Sequence, residues 1–254
     1  MTAVRTTVLP PVGPEPVRTT LRRLAAAQKG AAGAPAYSRF INRPAGRLFA
    51  ALAYRAGLTP NAVTGLSATC TFLGIALLLA FPASWPLGCT VAAFLVIGYA
   101  LDAADGQLAR LRGGGSPSGE WLDHMVDAVK AATIHLGLLV SLYRFDEVHR
   151  GPLLLIPIAF TIVDVVHLFA TLLNEQLRRN HGAPERADRS DRRPSTLRSL
   201  VVLPTDYGVL ALSIVLLGAP SVFFGLYFLL FVATAGYVAL ASRHWFREMG
   251  RLSP

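Results

Sequence analysis

Six apolar stretches, over 59–81, 85–112, 117–143, 152–178, 199–217 and 220–245, dominate this 254-residue chain. Each is near the length of about 20 residues that a helix needs to cross a bilayer's hydrocarbon layer. With 53% hydrophobic and 15% charged residues, the composition lies outside the usual soluble range. The chain reads as all-α, a polytopic integral membrane protein with six transmembrane helices and an N-terminal amphipathic interfacial helix. Residues 1–36, rich in Pro, Ala, Thr and Arg without an apolar core, read as a disordered cytoplasmic tail rather than a signal peptide. Over 37–58, Phe40, Leu48, Phe49, Leu52 and Tyr54 alternate with Arg39, Arg43, Arg47 and Arg55, which suits a helix in the headgroup layer.

Arginines are frequent before the first stretch and after the second, fourth and sixth, and absent from the connections at Phe81–Trp85 and Gly218–Pro220. By the positive-inside rule both termini are cytoplasmic, in a multi-pass protein of the cytoplasmic (plasma) membrane. The same clustering reads the net charge of +9 as an orientation signal and not as a nucleic-acid surface. Cys70 and Cys89 lie in apolar segments without metal-ligand spacing and read as core residues.

Between Leu101 and Lys130 the chain carries four aspartates where an apolar chain should carry none. On a helix Asp102 and Asp105 are i and i+3, Asp123 and Asp127 are i and i+4, so each pair shares a face. Asp105 and Asp123 are equidistant from Gly114, so an antiparallel hairpin brings all four to matching depth, at its cytoplasmic end. Gly113–Gly115 ends the first helix, Ser116 is an N-cap and Pro117 opens the second. Unpartnered carboxylates in a bilayer are costly, and an oxygen-only donor set selects hard cations such as Mg²⁺, Mn²⁺ or Ca²⁺. Four carboxylates on two facing helices suit two ions about 4 Å apart, the spacing of phosphoryl-transfer clamps.

Written out, the stretch is Asp102-x2-Asp105-Gly106-x2-Ala109-Arg110-x8-Gly119-x3-Asp123-x3-Asp127. It resembles the signature of the CDP-alcohol phosphotransferase family, class I, at every fixed position and spacing. The resemblance implies a phospholipid-synthesis enzyme that moves a phosphatidyl group from CDP-diacylglycerol to an acceptor alcohol and releases CMP. It further implies two divalent cations, Mg²⁺ or Mn²⁺, on Asp102, Asp105, Asp123 and Asp127, with Asp127 also the catalytic base. Gly106, Ala109, Arg110 and Gly119 would bind the CDP, joined by Asn61 and Thr64 near the Pro60-Asn61 element, for which helix capping is the alternative. The implied partners are the CDP-linked lipid, a small alcohol or phospho-alcohol acceptor, membrane lipids and a second copy of the chain, with no nucleic acid. A CDP-choline- or CDP-ethanolamine-type donor acting on a lipid acceptor is the alternative chemistry, and a divalent-cation transporter the alternative class.

Four other features remain open in the sequence. Lys130 reads as an ion-pair partner of an aspartate or a ligand for substrate phosphate. His124 and His135 read as interior histidines. Asp164 and His167 line an acceptor pocket or pair with each other. The seven arginines of Glu175–Arg198 form a solvated loop or an anionic-lipid contact.

Overall fold

The computed structural model describes residues 17–26, 34–145, 151–182 and 196–252. Nine α-helices are seen among them: α1 (Val17–Ala26), α2 (Arg43–Arg55), α3 (Pro60–Ala80), α4 (Trp85–Leu111), α5 (Pro117–Phe145), α6 (Leu155–Asn180), α7 (Thr196–Val201), α8 (Tyr207–Ser213) and α9 (Pro220–Met249). A π-turn at Ser38–Asn42 leads into α2, and α8 runs on as a 3₁₀ turn to Gly218. Five helices are long and apolar enough to cross a membrane: α3, α4, α5, α6 with its preceding 3₁₀ turn, and α9.

Local chemistry sets several of these boundaries. The Thr59 hydroxyl accepts from the Ala62 N–H at 3.2 Å and caps α3 ahead of Pro60. Between α4 and α5 the chain reverses through Gly113 at φ 97° and Gly114 at φ 130°, conformations that favour glycine. Ser116 then caps α5, its hydroxyl accepting from the Gly119 N–H at 3.1 Å.

Two segments differ from the sequence reading. Val17–Ala26, inside the tail expected to be disordered, is helical, with Thr20 and Leu24 buried; α1 packs on α2 and α4. Its weak apolar signal becomes a binding face only because α2 and α4 supply the rest of the pocket. The stretch 199–217 is not one helix. Asp206 breaks it, accepting from the Gly208 N–H at 3.0 Å to cap α8 and from the Ser38 N–H at 2.7 Å to tie down the start of the interfacial segment. The apolar helix beyond this break, Tyr207–Gly218, spans roughly 20 Å, less than a hydrocarbon layer.

The core has two apolar parts with a polar layer between them. Val63, Ala104, Leu108 and Leu111 pack with Leu24 and with Ala50, Ala51 and Ala53 of α2. A larger cluster unites Ile75, Leu78, Val91, Leu95, Ile134, Leu138, Phe160, Ile214 and Tyr227. On α3, Thr64, Ser67 and Thr71 are buried on one face between these clusters.

Small residues allow the close approaches. A Cβ at Gly88 would stand 2.7 Å from the backbone oxygens of both Ile214 and Val215. Because backbone cannot swing aside, Gly88→Ala is expected to destabilise the bundle by about 1–3 kcal/mol, read as a lowered melting temperature in detergent.

Candidate active site

α3 packs along both α4 and α5, whereas α4 and α5 are not among the closely packed helix pairs. The two aspartate-bearing helices are joined by the reversal at Gly113 and Gly114 and by the ion pair of Lys130 with Asp102. Together with the start of α3 and with α6 they line a cavity of 1040 Å³.

That cavity gathers the sequence candidates. Asn61, Thr64, Asp105, Gly106, Ala109, Arg110, Gly119 and Asp123 all line it. Gly106 and Ala109 present the α4 wall with almost no side chain, and the nearest group to a Cβ built at Gly106 is the Arg110 guanidinium, at 3.4 Å. Opposite, a Cβ at Gly119 would meet the Asn61 amide oxygen at 2.9 Å, so the start of α3 abuts the start of α5. Asp105, 5% exposed, accepts from the Thr64 hydroxyl at 2.6 Å, which fixes its orientation. Thr64 is thus attached to the carboxylate as well as to the cavity.

Asp102 and Asp127 lie outside the lining and share Lys130. Its ammonium donates to Asp102, to Asp127 at 3.3 Å and to the Ser67 hydroxyl at 3.0 Å. The ion-pair reading of Lys130 therefore describes its contacts, with both aspartates taking part. Sequence reading missed Ser67, although 64, 67 and 71 recur at helical spacing within the apolar run of α3.

His124 reads from the sequence as an interior residue, but it lines the cavity. Ligand atoms of Asp123, His124 and Asp127 lie within 4.8 Å of one another, a group able to hold a metal ion. The carboxylate and imidazole donors of this group suit a divalent cation. Asp102 of α4 and Asp127 of α5 share the Lys130 ammonium, and the His124 ring stands 3.8 Å from Asp123.

The α6 wall supplies Thr171, Leu172, Glu175, Gln176 and Arg179, which the sequence offered only as span and loop. Arg179 pairs with Glu120 of α5 at 2.7 Å, across the cavity. Arg178, fully buried, pairs with Glu248 of α9. Two of the seven arginines are thus built into helix contacts. Arg186, Arg189, Arg192 and Arg193 lie outside the described residues, as does the side chain of Arg198.

Asp164 and His167 take separate partners. Asp164 bonds to His135 Nε2 at 3.0 Å, and His135 Nδ1 bonds to the Tyr227 hydroxyl at 2.7 Å, a buried chain in which His135 is satisfied at both nitrogens. His167 stacks on Trp245 and meets the edge of Tyr237.

The family model described as CDP-alcohol phosphatidyltransferase matches residues 57–241, from the turn before α3 to most of α9. A phosphatidylinositol phosphate synthase of Mycobacterium marinum is 36% identical over 85 residues, which is 34% of this chain and 35% of that protein. The chain thus matches about a third of the length of this curated relative. With the family matched over well more than half its length, this integral membrane protein belongs to the CDP-alcohol phosphatidyltransferase family.

Proposed function

We propose that this protein transfers a phosphatidyl group from CDP-diacylglycerol to the hydroxyl of an acceptor alcohol and releases CMP. The observation that carries the proposal is the one cavity into which α4 brings Asp105, Gly106, Ala109 and Arg110 and α5 brings Gly119 and Asp123. It joins carboxylates to a bare helix surface and a cation, the combination that a nucleotide diphosphate needs. The acceptor oxygen attacks the lipid-linked phosphorus, forming one P–O bond. The bond from that phosphorus to the bridging oxygen breaks, and CMP leaves with that oxygen.

Each residue has a distinct task in this reading. Gly106, Ala109 and Gly119 let the cytidine diphosphate lie against the backbones of α4 and α5. Arg110 bonds a diphosphate oxygen, while Asn61 and Thr64 hold the nucleotide from the start of α3. Asp127 receives the proton of the acceptor hydroxyl. Asp102, Asp105, Asp123 and Asp127 would hold two divalent cations, Mg²⁺ or Mn²⁺, which neutralise charge on the transferred phosphate. The site then stands at the cytoplasmic headgroup layer of the plasma membrane, where a water-soluble nucleotide and a lipid tail can both reach it, and the protein works as a homodimer.

The similarity to a phosphatidylinositol phosphate synthase makes a phosphorylated polyol the first acceptor to try. The decisive test is CMP release from CDP-diacylglycerol by detergent-purified protein with Mn²⁺ or Mg²⁺, across inositol phosphate, glycerol phosphate, serine and phosphatidylglycerol. Release with one acceptor, and none after chelation, is the expected result. Release only from CDP-choline or CDP-ethanolamine with a diacylglycerol acceptor would replace this donor. Metal flux into liposomes without CMP release from either donor would replace the enzyme reading with a transporter.

Chelation has its own expected course. With EDTA, turnover falls to background and returns on adding Mn²⁺ or Mg²⁺ in excess, whereas Ca²⁺, larger and less demanding of geometry, restores less. Initial rates of CMP release check this.

A further inference from the structure

Lys130 sits in surroundings that a metal ion would recognise. It projects from α5 one turn beyond Asp127 and is 6% exposed. Its three acceptors come from three helices: Asp102 of α4, Asp127 of α5 and Ser67 of α3. Ser67 in turn donates to the Gly98 carbonyl at 2.8 Å, which turns its oxygen lone pairs toward the ammonium. An ammonium has three N–H donors and no acceptor, so all three are directed at oxygen. Meanwhile Asp105 and Asp123 face the cavity, with Asp105 held by Thr64.

We propose that Lys130 is a tethered cation at one of the two divalent-ion positions of the cluster, so that the two positions bind with unequal affinity. This rests on the two-cation reading above. The ion served by Asp105 and Asp123 meets the Thr64 hydroxyl and the His124 ring there, neither of which is an ammonium to be displaced. The ion that needs Asp102 and Asp127 binds only by displacing the ammonium, and its affinity is lowered by the bonds it must break. The same lysine keeps two half-buried carboxylates compensated in the metal-free protein, which lowers the desolvation cost that would otherwise make folding lean on metal.

The test is Mn²⁺ binding to the full-length protein in detergent, followed by calorimetry and by the electron paramagnetic resonance of free Mn²⁺, with no substrate and no activity assay. Wild type should show two classes of site whose dissociation constants differ at least tenfold. In Lys130→Met the weaker class should tighten at least tenfold, and the metal-free melting temperature should fall and recover on adding Mn²⁺. Ser67→Ala keeps the charge and removes one acceptor of the ammonium, so it should shift the weaker class the same way by a smaller factor; it decides the matter if Lys130→Met does not fold. An unchanged or weakened second class in the variant that folds overturns the proposal. Failure of wild type to bind any Mn²⁺ overturns the metal-site reading beneath it instead.

Discussion

Asp127→Asn should lower the rate of CMP release by about 10³-fold or more, within the range for losing a positioned general base, while leaving the fold intact. Asparagine keeps the size and one acceptor oxygen, so the contacts of α5 survive, but it neither accepts a proton from the acceptor hydroxyl nor carries charge towards a cation. Asp105→Asn should be comparably damaging for a different reason. Asp105 is held by Thr64 in the cavity wall, so Thr64→Val, which frees the carboxylate to rotate, should lower turnover less than Asp105→Asn. Initial rates for the three variants check the order. Asp127→Asn or Asp105→Asn with near-wild-type turnover would remove these carboxylates from the chemistry.

The largest stability effect is expected far from the reacting atoms. Arg178 is 1% exposed and pairs with Glu248, joining the ends of α6 and α9. Removing one partner of a largely buried pair costs about 3–5 kcal/mol. Arg178→Ala should therefore lower the melting temperature in detergent substantially, and Arg178→Met with Glu248→Leu together should lower it less than Arg178→Ala alone. Because α6 forms one wall of the cavity, the same loss should raise the KM for the CDP-linked donor in protein that remains folded. A melting temperature unchanged by Arg178→Ala would contradict the pair's structural weight.

Much of the fold is legible in local chemistry. The caps at Thr59 and Ser116, the glycine reversal at Gly113 and Gly114 and the five long apolar helices are short-range or compositional features, and residue type settles them. The features that the chain does not disclose depend on partners distant in sequence. Spacing places Asp102 with Asp105 and Asp123 with Asp127, whereas tertiary packing of α4 and α5 against α3 brings Asp105 and Asp123 to the cavity and Asp102 and Asp127 to Lys130. Asp206 lies inside the apolar stretch 199–217; it caps α8 through the Gly208 N–H, and its second bond, to the Ser38 N–H 168 residues away, is one that only the fold discloses. Val17–Ala26 carries so little apolar character that only burial of Thr20 and Leu24 reveals it as structured. Arg178 and Arg179 are hidden by their neighbours, since a run of arginines reads as solvated until one is seen to be buried.

The direct test of phosphatidyl transfer tracks the phosphorus itself. CDP-diacylglycerol labelled with ³²P only at the lipid-linked phosphate, incubated with the purified protein, divalent cation and the acceptor identified by CMP release, should yield a labelled phospholipid and unlabelled CMP. Label recovered in the released nucleotide, or a phospholipid product without label, would contradict attack at the lipid-linked phosphorus and with it the assignment of this cavity to phosphatidyl transfer.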